Sequence, residues 1–372
     1  MTRPQRLARA GALAVLLLLG TAGGAASAPQ GGATRSVRDN FHVQQLGDGI
    51  YAVIRDDPPG FAVESNSLFI ICADDVVVVD AQSNAATTKA VLAALRKLTP
   101  KPVRYVINTH WHDDHIIGNQ VYREAFPNVE FIAHASTRAY LPTTGMTNRK
   151  KFHEGIPGFL ELLRNSVKNN KNIQGLPLTE EERASYLSDI ALGEGYMTVP
   201  PGYEPILPTI TLGDQLTLYH GGRTIEIRQV GRGHTAGDLV VHLPQEHIVA
   251  AGDLVVWPVP FIGADQSHIG DWAASLDKLR ALQPRLIVPG HGPIMHDDSY
   301  VQLVTRLMTS VQQQTAAAVA RGETLAQTRK SVNLDEFRQL FAGDSKVRNA
   351  LFSQYVVGPA VAAAFAETSA AH

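Results

Sequence analysis

Six consecutive residues constrain this chain more than anything else in it: His110-Trp111-His112-Asp113-Asp114-His115, directly after VRYVINT at 103–109, which reads as a strand. Three histidines and two aspartates this close are unfavourable as plain structure. Protonated imidazoles repel one another, and a buried polar group without a partner costs roughly 2–7 kcal/mol. On an extended loop His110 and His112, two apart, point to the same side toward one ion, while Asp114 and His115 point from the turn toward a neighbouring position. Imidazole and carboxylate are borderline-to-hard ligands that suit zinc or iron rather than copper(I) or calcium.

Three further segments sit at expected strand ends: GHTAGD at 233–238, AGD at 251–253 and PGHGP at 289–293. Taken singly they say little. A histidine after a strand is ordinarily a hydrogen-bonded loop residue, and GHG lacks the Lys-Ser/Thr of a phosphate loop. Their order relative to HWHDDH is what carries information.

The rest of the chain supplies the frame. Short strands are expected at 50–54, 67–71 and 76–80, the last (VVVVD) apolar enough to be buried on both faces. A helix over 84–98 places Val91, Leu92, Leu95 and Leu98 on one side and stops before Pro100. The strand at 103–109, a short helix to Phe126 and a strand at 129–134 continue the alternation, which predicts a layered α/β fold. Residues 136–205 break it. They are polar and helix-rich, with a Thr179/Glu182 capping box ahead of a helix at 184–192, and read as an insertion over one sheet edge. Strands resume at 216–219, 224–230, 238–243, 247–251 and 285–289, with a helix over 271–282. From 298 to 372 the pattern is a helical extension, including helices at 300–321 and 346–357, and no repeat of 20–50 residues is present.

Arg3, Arg6 and Arg9 precede an apolar run, Ala10 to Gly20, and small residues ending at Ala28. This is the pattern of a cleaved signal peptide over 1–28, with an apolar run about half the ~20 residues of a membrane span. Residues 29–40 read as a flexible mature terminus, and no other stretch reads as apolar enough to cross a bilayer. Removing the three arginines leaves 30 basic against 35 acidic residues, a net charge of −5. An acidic exported chain is a poor partner for nucleic acid. The expectations are therefore a periplasmic or secreted protein with no stable membrane anchor and a small-molecule substrate; nothing indicates its oligomeric state. The single cysteine, Cys72, excludes an internal disulfide and Cys-rich zinc modules, and reads as a small buried hydrophobe.

HWHDDH resembles the HxHxDH signature of the metallo-β-lactamase superfamily, and the later segments fall where that family supplies its other ligands. The resemblance covers roughly Phe41 to Met295. It implies a four-layer αββα sandwich made of two similar halves, a catalytic domain over 41–297, with Asp80 and Asp253 as counterparts and Asp80 in a supporting role. It also implies a dinuclear zinc site: His110, His112 and His234 on one ion, Asp114, His115 and His291 on the other, and Asp253 bridging. Asp114 would in addition orient a hydroxide held between the ions, the nucleophile toward an amide, ester, lactone or thioester carbonyl. A bridging Asp253, with no cysteine ligand available, resembles thioesterases of the glyoxalase II type and lactonases, whereas export favours extracellular substrates such as β-lactams or lactones. The alternatives are a β-lactamase proper and an iron-dependent oxidoreductase on the same fold. Trp111 and Trp257 are candidate pocket walls, Thr109, Thr235 and Asp238 candidate supports of ligands. His268 is expected to face solvent, and Tyr196, Tyr203 and Phe159 are candidates for the cleft mouth.

Overall fold

Strands with apolar residues on both faces need cover on both faces, and this chain provides it with four layers. The computed structural model describes residues 39–370, so the leader expected at 1–28 lies outside the described residues. The first sheet has seven strands in sequence order: β1 (Phe41–Gly47), β2 (Ile50–Arg55), β3 (Ser67–Ile71), β4 (Val76–Val79), β5 (Val103–Ile107), β6 (Glu130–His134) and β7 (Ile210–Leu212). It is antiparallel up to β4 and parallel from β4 to β7. The second sheet runs β12 (Leu286–His291), β11 (Ile248–Val256), β10 (Val240–Leu243), β9 (Arg223–Arg228), β8 (Gln215–His220), with only β11 and β12 parallel.

Between the sheets, Ile50, Leu68, Ile70 and Val79 meet Ile227, Val241, Ile248 and Val288, all buried. Each such side chain contributes about 1.5–3 kcal/mol through removal from water. The outer face of the first sheet is covered by α1 (Ala85–Leu98), α2 (Asp113–Ile116) and α3 (Asn119–Ala125). Val91, Leu92 and Leu95 of α1 pack on Val76, Val78 and Phe131, and Asn84 caps the helix by accepting from the Thr87 N–H at 3.0 Å. All four valines of β4 are buried, which accounts for the unbroken apolar run.

The stretch between β6 and β7 holds α4 (Ala135–Tyr140), a π-turn over Leu141–Gly145, α5 (Met146–Asn169) and α6 (Glu180–Tyr196). Thr179, the N-cap of α6, and Glu182 in its first turn form the capping box, and the helix extends beyond 184–192 at both ends. The second sheet is covered by α7 (Ile269–Ala281), α8 (Ser299–Ala320), α9 (Leu325–Ser331), α10 (Asp335–Ala342), α11 (Lys346–Phe352) and α12 (Gly358–Ala370). Trp272, Leu276, Val304, Leu307 and Phe352 share one core there, so the C-terminal helices form the fourth layer.

Two expectations need correction. Lys346–Ala370 is one continuous helical stretch that is, by length and composition, apolar enough to cross a membrane, contrary to the reading that no such stretch follows the leader. Its Leu351, Phe352, Val356, Ala360 and Ala364 are instead buried in the core against α8. The strand expected at 247–251 continues to Val256, so Asp253 lies inside a strand and not at its end. Gly252, with φ of +51°, breaks the register with β12 between Ala250 and Val256. Such a bulge re-aims the next side chain without ending the strand.

Candidate metal centre

The structure brings all seven singled-out ligand candidates to one rim, where β4, β5, β11 and β12 end or kink. His110 and His112 follow β5, Asp114 and His115 lie in α2, His234 sits in the loop after β9, Asp253 on the β11 bulge and His291 at the end of β12. They form two groups. His110, His112 and His234 place Nε2, Nδ1 and Nε2 together, 3.1 Å from His110 to His112 and 2.7 Å from His112 to His234. Asp114, His115 and His291 converge through Oδ2, Nε2 and Nε2, with separations of 3.1–3.4 Å.

Asp253 lies between them. Its Oδ2 is 3.4 Å from His234 Nε2 and 3.9 Å from His110 Nε2, and its Oδ1 is 3.3 Å from His115 Nε2 and 3.4 Å from His291 Nε2. One carboxylate thus turns one oxygen to each group. Buried Asp253 Oδ1 and Asp114 Oδ2 have no hydrogen-bond partner. Such orphans are uncommon in a native fold unless a water or ion satisfies them, and the donor set, five imidazoles and two carboxylates, fits divalent ions of the zinc class.

Every imidazole is fixed through its other nitrogen, which leaves the convergent one free as a ligand. His115 Nδ1–H donates to Asp80 Oδ2 at 2.8 Å, and His110 Nδ1 meets Thr109 Oγ1 at 3.1 Å. His234 Nδ1–H donates to the Phe261 carbonyl at 2.8 Å, His291 Nδ1–H to the Glu64 carbonyl at 3.1 Å, and His112 Nε2–H to Gln266 Oε1 at 2.8 Å. Asp80 also accepts from the Thr109 N–H and hydroxyl, both at 2.8 Å. It therefore orders the start of the HWHDDH loop and one of its imidazoles at once. Asp80→Ala is expected to weaken metal binding by about 10–100-fold, the usual effect of losing such a support, measured by competition with a chromophoric chelator.

Electrostatics divides the two groups. Burial, reinforced by neighbouring imidazoles, holds His110 well below the usual range and His234 down at about 3, and it lowers His112 despite the bond to Gln266. These three are neutral and ready to ligate. Burial also disfavours charge on His115 and His291, but Asp114 and Asp253 outweigh it, raising His115 and pushing His291 up to about 10. An ion bound there would displace those protons.

The remaining candidates separate cleanly. Trp111 is buried against Ile116, Leu141 and Leu207, its ring 4.3 Å from that of His112. Trp257 lies under the Arg348 guanidinium of α11, at 4.7 Å. Thr235 and Asp238 bond each other, Thr235 Oγ1 donating to Asp238 Oδ1 at 2.5 Å, and so brace the His234 loop. His268 is partly buried near Glu367 of α12, at 3.8 Å. Phe159 stacks edge-on with Phe61 at 6.0 Å. Tyr203 donates to the Ile117 carbonyl at 3.0 Å.

Tyr196 leads to a feature that the motif alone does not disclose. Its hydroxyl donates to Asp113 Oδ2, and the same carboxylate receives both Arg149 Nη2 and Nε, at 2.5 and 3.2 Å. Asp113, inside HWHDDH, is thus the anchor by which the insertion grips the metal loop. Arg149 is 2% exposed. Gln266, Glu64 and Phe261 were likewise invisible in the sequence: each acts through contacts with histidines elsewhere in the chain, and no local pattern marks them.

An αββα sandwich with a histidine–carboxylate rim at its strand ends defines a class of metal-binding α/β protein. A family model described as the metallo-beta-lactamase superfamily matches residues 60–291, and the chain belongs to that superfamily, whose members are metal-dependent hydrolases. It is similar to a linear primary-alkylsulfatase of Pseudomonas sp. (strain ATCC 19151), 25% identical over 268 residues, 71% of this chain and 47% of that protein. The chain thus spans about half the length of that relative. It is also similar to a metallo-beta-lactamase type 2 of Bacillus sp. (strain 170), 25% identical over 63% of this chain and 69% of that one. Among solved structures, a metallo-beta-lactamase from Pontibacter korlensis shares 18% identity over 72% of this chain and 99% of that chain, with a TM-score of 0.48.

Proposed function

We propose that this chain is an exported zinc-dependent hydrolase with two ions, acting on an ester, thioester, lactone or amide of a small molecule. The observation that carries the reading is Asp253, one oxygen toward each histidine group and the inner one orphaned. His110, His112 and His234 would hold one ion, Asp114, His115 and His291 the other, and Asp253 both. When bound, such ions supply Lewis acidity and bring the pKa of water to about 7.

The chain's own residues do the positioning. The outward hydrogen bonds of the five histidines keep their convergent nitrogens aimed inward. Asp114 is the carboxylate of the centre with the larger opening to solvent, its side chain 19% exposed against 4% for Asp253. It is the group placed to orient an attacking water. Trp111 and Phe261, packed beside His112 and His291, keep bulk water from those ligands.

The leader-like segment at 1–28 supports export and hence an extracellular substrate. The named relatives widen the range to test: β-lactams from the one and sulfate esters from the other. The experiment is a hydrolysis screen over β-lactams, lactones, thioesters and alkyl sulfates, with protein stripped by chelator and then reloaded. Hydrolysis of at least one class, lost on stripping and restored by zinc, is expected. Activity restored by iron with oxygen consumption, and not by zinc, would favour the oxidoreductase reading instead.

A further inference from the structure

A second group of ligand-type side chains lies at the opposite end of the sandwich. Ile71 pairs with Val76 and Leu68 with Val79, so the β3–β4 turn sits at the start of β4, away from Asp80 and the rim described above. There Cys72 and Asp75 of that turn meet His220 at the end of β8, and their sulfur, oxygen and nitrogen atoms lie within 4.8 Å of one another. The turn belongs to the seven-stranded sheet and β8 to the other.

The close approach is built in. Gly221 follows His220, and a Cβ at that position would fall 2.6 Å from Cys72 Cβ and from the Ala73 nitrogen. His220 Nε2 lies 2.7 and 2.9 Å from the two oxygens of Asp75. The thiol has only a weak contact, 3.8 Å to the Ile70 carbonyl. An ordinary His–Asp pair accounts for two of these groups and leaves the chain's single thiol beside it without a role.

We infer that Cys72, Asp75 and His220 form a separate site for a divalent ion of the zinc class, a staple between the two sheets with solvent as the remaining ligand. Thiolate, imidazole and carboxylate are a zinc-type set, softer than the seven ligands of the rim. On binding, Cys72 loses its thiol proton to solvent. The ion would be held by Nε2 of the neutral His220 ring, in the tautomer that carries its one proton at Nδ1. Burial and Asp75 push the free thiol up to about 11, against Arg223 and Lys101, so the proton leaves only when an ion displaces it. Cys72 then has a chemical role beyond the small buried hydrophobe its sequence context suggests.

The chain has one cysteine, which makes the test specific. The full chain is loaded with Co2+ at neutral pH and its near-ultraviolet spectrum recorded. A sulfur-to-cobalt charge-transfer band is expected. It should vanish in Cys72→Ser and fall strongly in His220→Ala, each variant binding one cobalt fewer than wild type while keeping the rim ligands loaded. Wild-type protein saturated with cobalt yet lacking the band would overturn the site. So would equal metal content in wild type and both variants, or a band undiminished in His220→Ala, which would mean a thiol binding cobalt without the built site. Should Cys72→Ser fail to fold, the wild-type spectrum and His220→Ala decide.

Discussion

Asp253→Asn is expected to retain its place in the fold and lose the centre. The amide has nearly the shape of the carboxylate, so the β11 bulge and the packing around it persist. It lacks the charge that offsets two divalent ions, and its nitrogen would face one of the two imidazole groups as a donor where a ligand is needed. At least one ion should bind more weakly. Because loss of an outer support alone costs about 10–100-fold in affinity or activity, loss of a shared ligand should exceed that at neutral pH, with partial recovery at high zinc. Elemental analysis after dialysis, paired with turnover on whichever substrate the screen identifies, makes the measurement. Normal metal content and near-normal turnover would reduce Asp253 to a strand residue that only hydrogen-bonds.

Arg149→Met should give the largest loss of stability of any change in the insertion. The guanidinium is buried, forked onto Asp113, and stacked 4.5 Å over the Tyr203 ring. Removing one partner of a buried pair leaves the other charge uncompensated, at a cost of about 3–5 kcal/mol. Asp113 keeps only Tyr196 as a partner in the insertion. Urea unfolding of the metal-loaded protein reads the stability, and chelator competition reads the affinity, which should fall too because Asp113 adjoins His112 and Asp114. Arg149→Met combined with Asp113→Leu should recover much of the stability, since no charge is then stranded. A single-variant loss under ~1 kcal/mol, the range of exposed ion pairs, would show that the insertion does not brace the metal loop.

The parts of this protein legible in its sequence are those whose cause is local. HWHDDH announces a centre because its ligands are neighbours in the chain. VVVVD announces a doubly covered strand because nothing in it is polar, and Thr179 with Glu182 marks a helix start within four residues. What escaped depends on distance. Arg149 is an ordinary basic residue in a polar helix until the fold sets it against Asp113, 36 positions earlier. Gln266 gains meaning only from His112, 154 positions away. Gly252 reads as the end of a strand because glycine usually punctuates one; here its left-handed backbone kinks β11, which continues through buried Leu254, Val255 and Val256. The role of Cys72 was hidden for the same reason, since His220 and Asp75 reach it from elements 145 positions apart.

Anomalous diffraction from zinc-loaded crystals, recorded on both sides of the zinc absorption edge, tests the dinuclear centre most directly. Two peaks are expected at the rim, about 3.5–4 Å apart as in two-metal hydrolytic sites. One should lie against His110, His112 and His234, the other against Asp114, His115 and His291, with Asp253 between them. A single rim peak at full zinc loading, with Asp253 or His291 turned away from it, would contradict the dinuclear reading.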